Sequence, residues 1–294
     1  FSPEYGSAYG GVVNMVTKSG GNEFHGEASL IFQNRDLQAA KRPQLSVMSE
    51  AAYFSNANAY LNLGGPVVRD KLWFFLSENY YSNAEETVDG VMDYLSIPGG
   101  KKTAGNNNIF GKLTFALTPE HVISATVIHD KSFPQTGVTG LPEMNEERTT
   151  EDVIFRLNYK GILNATTYVE AGIGRVIRKN DRHPVDRDLG PAMYYVEDLA
   201  QNVHNSYGNV RDDEERLDAS FKLSKVVDSE RFGRHELALG FEYYDLSSTF
   251  VSSFSGTSED PFPGNGFDAG TKINFDTWRG GAGRLTANPI EFIT

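Results

Sequence analysis

The sequence lacks cysteine and long apolar runs, and each absence excludes a class of protein. Without cysteine, the 294 residues form no disulfide, no thiolate metal site and no cysteine nucleophile. No stretch reaches the ~18 consecutive apolar residues that a membrane-spanning helix needs. Basic residues are also scarce, 27 against 39 acidic ones, and the net charge of −12 argues against a nucleic-acid partner.

The sequence is rich in aromatic residues and glycine, with 19 Phe, 14 Tyr and 29 Gly, a mixture that favours strands and turns. Within residues 152–160, Val153, Phe155 and Leu157 alternate with polar residues. The same period of two recurs in residues 24–32, 217–225 and 235–244. Strict alternation over such lengths predicts strands with one apolar face and one polar face.

The connections between these segments alternate in length. Short turns are predicted at 66–71, 118–121, 161–164 and near 226–233, and long polar connections at 33–57, 83–105, 132–149, 178–212 and 251–270. Long loops without structure are uncommon in compact soluble domains. Outer-membrane barrels, in contrast, have short periplasmic turns and long extracellular loops. The pattern predicts about ten strands of roughly 9–13 residues, the length of a tilted bilayer crossing.

Alternation alone fits both a soluble sandwich and a membrane barrel, since both have one apolar face. Three features favour the barrel: the strand length, the loop asymmetry, and aromatic residues near strand ends, as an interfacial girdle requires. These aromatic residues are those of 73–75, 80–81 and 243–244. We therefore predict an all-β, antiparallel transmembrane β-barrel in a Gram-negative-type outer membrane, in contact with outer-membrane lipid.

Two polar clusters were weighed as reactive or metal sites. His183, Asp186 and Asp188 offer an imidazole and carboxylates, but neighbouring arginines favour a solvated mixed-charge loop. The acidic run 212–215 lacks the spaced ligands and glycine of a calcium loop, which favours a charged barrel rim. No nucleophile elbow or phosphate-binding loop occurs. The sequence predicts no catalytic residue, no metal site and no cofactor, and hence no enzyme.

The opening stretch YGSAYGGVVNMVTK, residues 5–18, resembles the last plug strand of TonB-dependent outer-membrane receptors. In that family this strand often reads Tyr-Gly-x-x-x-Gly-Gly-Val-Val-Asn-x-Val-Thr-Lys. The following SGGNEFHGEASLIFQN resembles the turn and first barrel strand. Residues 61–81, LNLGGPVVRDKLWFFLSENYY, resemble the next hairpin of the Oar-like branch.

The resemblance implies a fragment: residues 1–21 as the end of a plug domain and 22–294 as the N-terminal part of a plugged barrel of roughly 22 strands. Residues 19–22 are expected to form a flexible passage, and 64–66 to end a strand. Gly10 and Gly11 are expected to let the last plug strand pack closely against the inner barrel wall, and in the alternative they mark a β-bulge of any soluble sheet. The implied plug–barrel junction comprises Gly10, Gly11, Asn14, Lys18, Gly20 and Gly21.

The resemblance also implies ligand capture at extracellular loops, with a TonB-type energising complex acting through a missing N-terminal part. The ligand class stays open among peptide or protein, siderophore and glycan. The longest connection supplies the candidate binding residues, against the alternative of an ordinary exposed loop. They are Tyr194, Tyr195, Asn202, His204 and Tyr207. Two other hypotheses remain: a non-transporting outer-membrane barrel for adhesion or assembly, and a secreted soluble β protein that binds carbohydrate.

Overall fold

The computed structural model is built almost entirely of β-strands. It describes residues 16–37, 51–87, 90–92, 95–97, 101–133, 135–136, 145–185, 187, 193–196, 201–204, 208–231, 233–254, 272–281, 284–286 and 291–293. A single 3-10 turn, Arg35–Leu37, follows the first strand. Within these ranges, no helix has the length and apolar character to cross a membrane.

Seventeen strands lie in the described residues, and most join one antiparallel sheet. In chain order they are β1 (His25–Asn34), β2 (Ala51–Val68), β3 (Leu72–Thr87), β4 (Gly90–Met92), β5 (Leu95–Ile97), β6 (Lys101–Thr118), β7 (His121–Ser132), β8 (Gln135–Thr136), β9 (Glu146–Asn164), β10 (Thr167–Pro184), β11 (Met193–Val196), β12 (Gln201–His204), β13 (Gly208–Ser229), β14 (Gly233–Phe254), β15 (Lys272–Gly281), β16 (Arg284–Thr286) and β17 (Glu291–Ile293). The sheet runs β1-β2-β3-β6-β7-β9-β10-β13-β14-β15-β16, with β8 and β17 as side pairings.

The strands form a meander whose short turns all lie at one end. Two or three residues join β2 to β3, β6 to β7, β9 to β10 and β13 to β14. The long connections lie at the other end, and two of them contain the small hairpins β4-β5 and β11-β12. The predicted loop asymmetry is therefore present, but the third turn lies at 165–166 because residues 161–164 belong to β9.

The strands are longer than the sequence predicted. β13 and β14 have 22 residues each and β9 has 19, against the expected 9–13. The predicted loop 178–212 overlaps the ends of β10 and β13, which pair there through Lys179 and Asp213. Hydrophobic alternation ends near Ile177 while the hydrogen-bonded ladder continues. A prediction from the hydrophobic period alone therefore ends the strand too early.

One face of the sheet carries large apolar side chains that no second layer of the described residues covers. Leu239 is 69% exposed and Phe241 63%, and Leu157, Leu76 and Leu113 are exposed as well. Among the described hydrophobic residues, only Phe75 and Val169 are buried. A soluble sandwich would bury its apolar face against a second sheet. The uncovered apolar face is typical of a barrel wall that meets lipid.

We call the apolar part of this face the apolar belt. It covers residues 153–161 of β9, 169–177 of β10, 217–223 of β13 and 237–243 of β14, at every second residue, with Arg175 as the one charged residue among them. These seven to nine residues per strand approach the length of a tilted crossing of the hydrocarbon core. Beyond the belt, the same face carries Glu151, Lys179, Asp213 and Asp245. The strands thus continue past the membrane as a charged wall.

The predicted aromatic girdle holds for alternate residues only. Phe74 and Tyr80 lie on the apolar face with Leu76, whereas Trp73 and Phe75 lie on the polar face. Phe75 is 3% exposed and packs edge-on against Phe110, with ring centroids 5.9 Å apart. Because successive strand residues point to opposite faces, a run of consecutive aromatics cannot all reach one interface.

Candidate functional site

The segment that leads into the first strand, residues 16–24, lies at the short-turn end of the polar face; we call it the passage segment. Thr17 Oγ1 accepts a hydrogen bond from Lys112 Nζ at 3.0 Å, and Lys112 belongs to the polar side of β6. Val16 and Lys18 are exposed. The passage segment therefore reaches from β1 across the polar face to β6, and N-terminal to Gly20 its one side-chain hydrogen bond in the described residues is the Thr17–Lys112 bond.

Gly20 and Gly21, both predicted junction residues, differ in their surroundings. A Cβ atom on Gly20 would collide with the Phe74 carbonyl oxygen and lie 3.0 Å from the Gly65 carbonyl oxygen. A Cβ atom on Gly21 would meet nothing within 4 Å. Only Gly20 is therefore required by close backbone approach.

Asn22 joins the passage segment to the β2-β3 turn through three hydrogen bonds. Its Nδ2 donates to Asp70 Oδ1 at 2.6 Å, and its Oδ1 accepts from the Asp70 backbone N–H at 2.9 Å and from Trp73 Nε1 at 2.7 Å. Asp70 has a left-handed backbone with φ 62°, which Asp tolerates better than most residues. We call Asn22, Asp70 and Trp73 the Asn22 clamp.

The clamp corrects the expectation that residues 19–22 form a freely flexible passage. Asn22 after two glycines has the composition of a turn, and its partners lie 48 and 51 residues away in the sequence. No local pattern reports such distant partners. The one signal in the sequence was the Asn side chain itself, which can both donate and accept hydrogen bonds.

On the C-terminal side of the Asn22 clamp, the chain packs directly against the sheet. Phe24 lies against Gly65, and its ring centroid is 6.3 Å from that of Phe74. β1 then pairs with β2 from His25 opposite Gly64 onward. The predicted strand end at 64–66 is wrong: β2 runs on to Val68, with a register shift after Pro66. Pro66 is tolerated because β1 no longer pairs with β2 at that position.

The polar face carries ion pairs between strands. Arg156 Nη1 of β9 lies 3.0 Å from Asp218 Oδ2 of β13, across Gly174 of the intervening β10. Between neighbouring strands, Lys160 Nζ lies 2.8 Å from Glu170 Oε1, and Arg178 bridges Asp152 at 3.0 Å and Glu214 at 3.5 Å. Exposed pairs of this kind add little to stability. Their consequence is a hydrophilic surface that carries charges of both signs.

Charged side chains also line the outward face beyond the apolar belt. His129 Nε2 lies 2.9 Å from Glu151 Oε1, and Lys131 Nζ lies 4.0 Å from the other carboxylate oxygen. The hydrogen bond with His129, helped by the charge of Lys131, lowers the pKa of Glu151. Arg211 pairs with Asp213 at 2.6 Å, and that contact raises the pKa of Arg211.

Neither sequence-level metal candidate forms a site in the described residues. The acidic run 212–215 lies in β13, where its side chains alternate between faces and pair with Arg178, Arg211 and Arg175. His183 is buried, and its Nδ1 lies 2.7 Å from the Pro184 carbonyl oxygen. Asp186 and Asp188 lie outside the described residues. In the part that is described, no three His, Asp or Glu side chains could hold a metal ion.

The predicted ligand-binding residues are brought together by their backbone in a small hairpin instead of an irregular loop. β11 and β12 pair so that Tyr195 is opposite Asn202 and Tyr194 is opposite Val203, with His204 at the open end. Tyr207 lies outside the described residues, as do the junction residues Gly10, Gly11 and Asn14. The assignment of these residues to ligand binding and to the junction stays a prediction.

Comparison with known proteins agrees with this architecture. The family described as "Outer membrane beta barrel domain" matches residues 16–92. The TonB-dependent transporter Oar of Myxococcus xanthus is 30% identical over 153 residues, which cover 42% of this chain and 14% of that protein. The probable TonB-dependent siderophore receptor PirA of Acinetobacter baumannii is 28% identical over 156 residues, covering 52% of this chain and 18% of PirA.

A solved structure gives the same fold. The outer membrane transporter YddB of Escherichia coli superposes with a TM-score of 0.51 at 8% identity, covering 81% of this chain and 35% of YddB. The chain thus spans less than a fifth of the curated relatives it matches. Those relatives are named as a transporter and a receptor, which agrees with the prediction of a non-enzymatic protein.

Proposed function

Because this chain is a TonB-dependent-receptor-like segment of an outer-membrane β-barrel, we propose that it forms the first part of the wall of an energised transporter. In this proposal residues 1–21 end the plug and residues 22–294 begin the barrel. A ligand is captured at the extracellular ends of the strands. It crosses along the polar face when the energising inner-membrane complex displaces the plug.

The observation that carries the proposal is the position of the passage segment on the polar face. An outer-membrane barrel that only anchors loops needs no chain entering its lumen. Here Thr17 accepts a hydrogen bond from Lys112 of β6, and Gly20 lies close against the backbone of β2 and β3. A segment held inside the wall supports an N-terminal domain that occupies the lumen.

The mixed charges of the polar face support a path for a polar ligand. Arg156, Lys160 and Arg178 each pair with a carboxylate on another strand. Such paired groups keep the wall wetted without holding an ion of one sign strongly. A wall of this kind suits a large polar solute, because the solute has to be bound weakly enough to leave the barrel as readily as it enters.

The names of the relatives indicate the ligand class of this chain only in part. PirA is named a probable siderophore receptor, and a ferric siderophore is one candidate for this chain. The hairpin β11-β12 carries Tyr194, Tyr195 and Asn202 at the extracellular end, residue types that suit peptides and glycans as well. We carry all three classes into the test.

The test measures energised uptake by the full-length protein in outer-membrane-bearing cells. The panel contains ⁵⁵Fe-loaded siderophores, fluorescently labelled peptides and labelled oligosaccharides. We expect one class to accumulate only when the protein is expressed, and accumulation to stop when a protonophore removes the energy source. Surface binding that is insensitive to the protonophore, without accumulation, would instead support a non-transporting adhesion or assembly barrel.

A further inference from the structure

We propose that the Asn22 clamp is a fixed stop at which movement of the preceding chain ends, so that displacement of the N-terminal domain is not passed on to β1. The inference rests on the proposed function for its biological meaning, but its structural content stands alone. It assigns positioning roles to Asn22, Asp70 and Trp73.

The side-chain contacts change at Asn22. On its N-terminal side, the side-chain hydrogen bond from Lys112 to Thr17 and the close approach of the Gly20 backbone to the Phe74 and Gly65 carbonyl oxygens join the described part of the passage segment to the sheet, and Val16 is 93% exposed. On its C-terminal side, Phe24 packs on Phe74 and Gly65, and β1 is paired with β2 over ten residues. Asn22 makes three hydrogen bonds at this boundary, all to the β2-β3 hairpin.

The direction of the contacts matters as much as their number. The clamp partners lie in the turn 69–71 and at the start of β3, so a pull on Asn22 is taken up by the β2-β3 hairpin before it reaches β1. This hairpin is held on both sides, because β2 pairs with β1 and β3 pairs with β6.

The donor pattern makes the clamp testable by exchange of its two side chains. Asn22→Asp removes the donor to Asp70 and sets two carboxylates against each other at 2.6 Å. In the double variant Asn22→Asp/Asp70→Asn, the amide at 70 donates to the carboxylate at 22. That carboxylate still accepts from the backbone N–H at 70 and from Trp73 Nε1. All three hydrogen bonds can form again, and Asn tolerates the left-handed backbone at least as well as Asp.

The experiment is hydrogen–deuterium exchange on the full-length protein in detergent, read at the Asp70 amide and over residues 16–24. The Asp70 amide reports directly because it donates to Asn22. We expect Asn22→Asp to speed exchange of that amide by about tenfold and to deprotect residues 19–24. The double variant should restore wild-type exchange.

Asn164→Asp is the matched control. Asn164 ends β9 at another short turn. There its Oδ1 accepts hydrogen bonds from the Thr166 backbone N–H and from the Thr166 hydroxyl. A carboxylate serves equally well there, so exchange should be unchanged. If Asn22→Asp leaves the Asp70 amide protected, or if the double variant fails to restore protection, the stop does not exist.

The outcome separates the two proposals. Loss and rescue of protection in a protein that accumulates no panel compound would keep the clamp and refute the transport function. Energised uptake that proceeds at the wild-type rate in Asn22→Asp, with residues 25–34 still fully protected, would overturn the stop and keep the transporter.

Discussion

At the residue scale, two junction glycines that look equivalent in the sequence have different surroundings in the structure. Gly20 faces the carbonyl oxygens of Phe74 and Gly65, and Gly21 faces open space. The collision at Gly20 is with backbone atoms, which cannot rotate away as a flexible side chain can. A methyl group is therefore costly at one position and neutral at the next.

We predict that Gly20→Ala lowers the thermal unfolding midpoint of the folded barrel and that Gly21→Ala does not. Forcing one methyl group into a filled space costs about 1–3 kcal/mol. The measurement is the temperature at which the heat-modifiable gel band of the detergent-solubilised protein disappears. Equal midpoints for the two variants would mean that the passage segment does not press on β2 and β3.

A second residue-scale prediction concerns pH and Glu151, which lies beyond the apolar belt. The hydrogen bond with His129, and then the charge of Lys131, lowers the pKa of Glu151. A carboxyl with a lowered folded-state pKa stabilises the fold above its unfolded pKa, near ~4.3, and the contribution is lost as pH falls through the folded pKa. Wild type should thus melt above Glu151→Gln at about pH 6, and the difference should shrink as the pH falls below about 4.

The control for this titration is Glu147→Gln, on the same face of β9. In the described part of the chain Glu147 makes no ion pair, so its replacement should give no convergence of this kind. A difference between wild type and Glu151→Gln that stays constant down to about pH 3 would contradict the assigned cause.

At the scale of the element, the side chains of each strand alternate between the apolar face, which is proposed to meet lipid, and the polar face. β14 shows the alternation clearly: Leu239 pairs with Leu223 on the apolar face, and its neighbour Ala238 pairs with Ser224 on the polar face. Both positions are exposed. They differ only in the solvent that the proposed membrane position gives them.

We predict that Leu239→Arg impairs insertion and that Ala238→Arg is tolerated. Arginine on the lipid face costs about 2–4 kcal/mol at the bilayer midplane and less toward the interfaces. At position 238 the new side chain would lie near Glu236 and Glu242 on the polar face. The readout is the folded fraction after refolding into lipid vesicles. A larger loss for Ala238→Arg would reverse the orientation of the sheet.

The same elements show what could be predicted from the sequence. The period of two between Val153 and Tyr159 predicted the strand type and its apolar face, because apolar and polar neighbours alternate there. The assignment of that face to lipid depended on strand length, loop asymmetry and aromatic positions. It could not predict that β10 runs to Pro184, since beyond Ile177 both faces are charged and the alternation is lost. Strand continuation there depends on pairing with β9 and β13, which is a non-local property.

The site was predictable to a smaller extent. Gly20 was predicted as a junction residue in a flexible turn, and its close approach to the Phe74 and Gly65 carbonyl oxygens was not predicted. Asn22 was read as a turn residue because turns favour Asn and Gly. Its role depends on Asp70 and Trp73, brought near by the β1-β2 pairing opposite Gly64. Hydrogen-bond partners set by tertiary structure leave no trace in local composition.

At the scale of the whole molecule, the question is how an N-terminal domain can move while the wall stays closed. If the Asn22 clamp is the stop, residues before it move and residues after it do not. Thr17 near Lys112 then lies on the moving side, and Phe24 against Gly65 lies on the fixed side. The absence of native cysteine in this chain lets pairs of cysteines be introduced at both places without competing thiols from it.

We predict that linking residues 17 and 112 blocks uptake and that linking residues 24 and 65 does not. The first pair, Thr17→Cys/Lys112→Cys, is joined by a short reducible bis-thiol linker, because a lysine side chain separates the two backbones. The second pair, Phe24→Cys/Gly65→Cys, is close enough for a direct disulfide once the ring is removed. Energised uptake of the panel compound should stop in the first variant, return on reduction, and persist in the second. Uptake that survives the 17–112 link would show that the passage segment stays in place during transport. Loss of uptake in both would place the moving boundary beyond Phe24, within the wall itself.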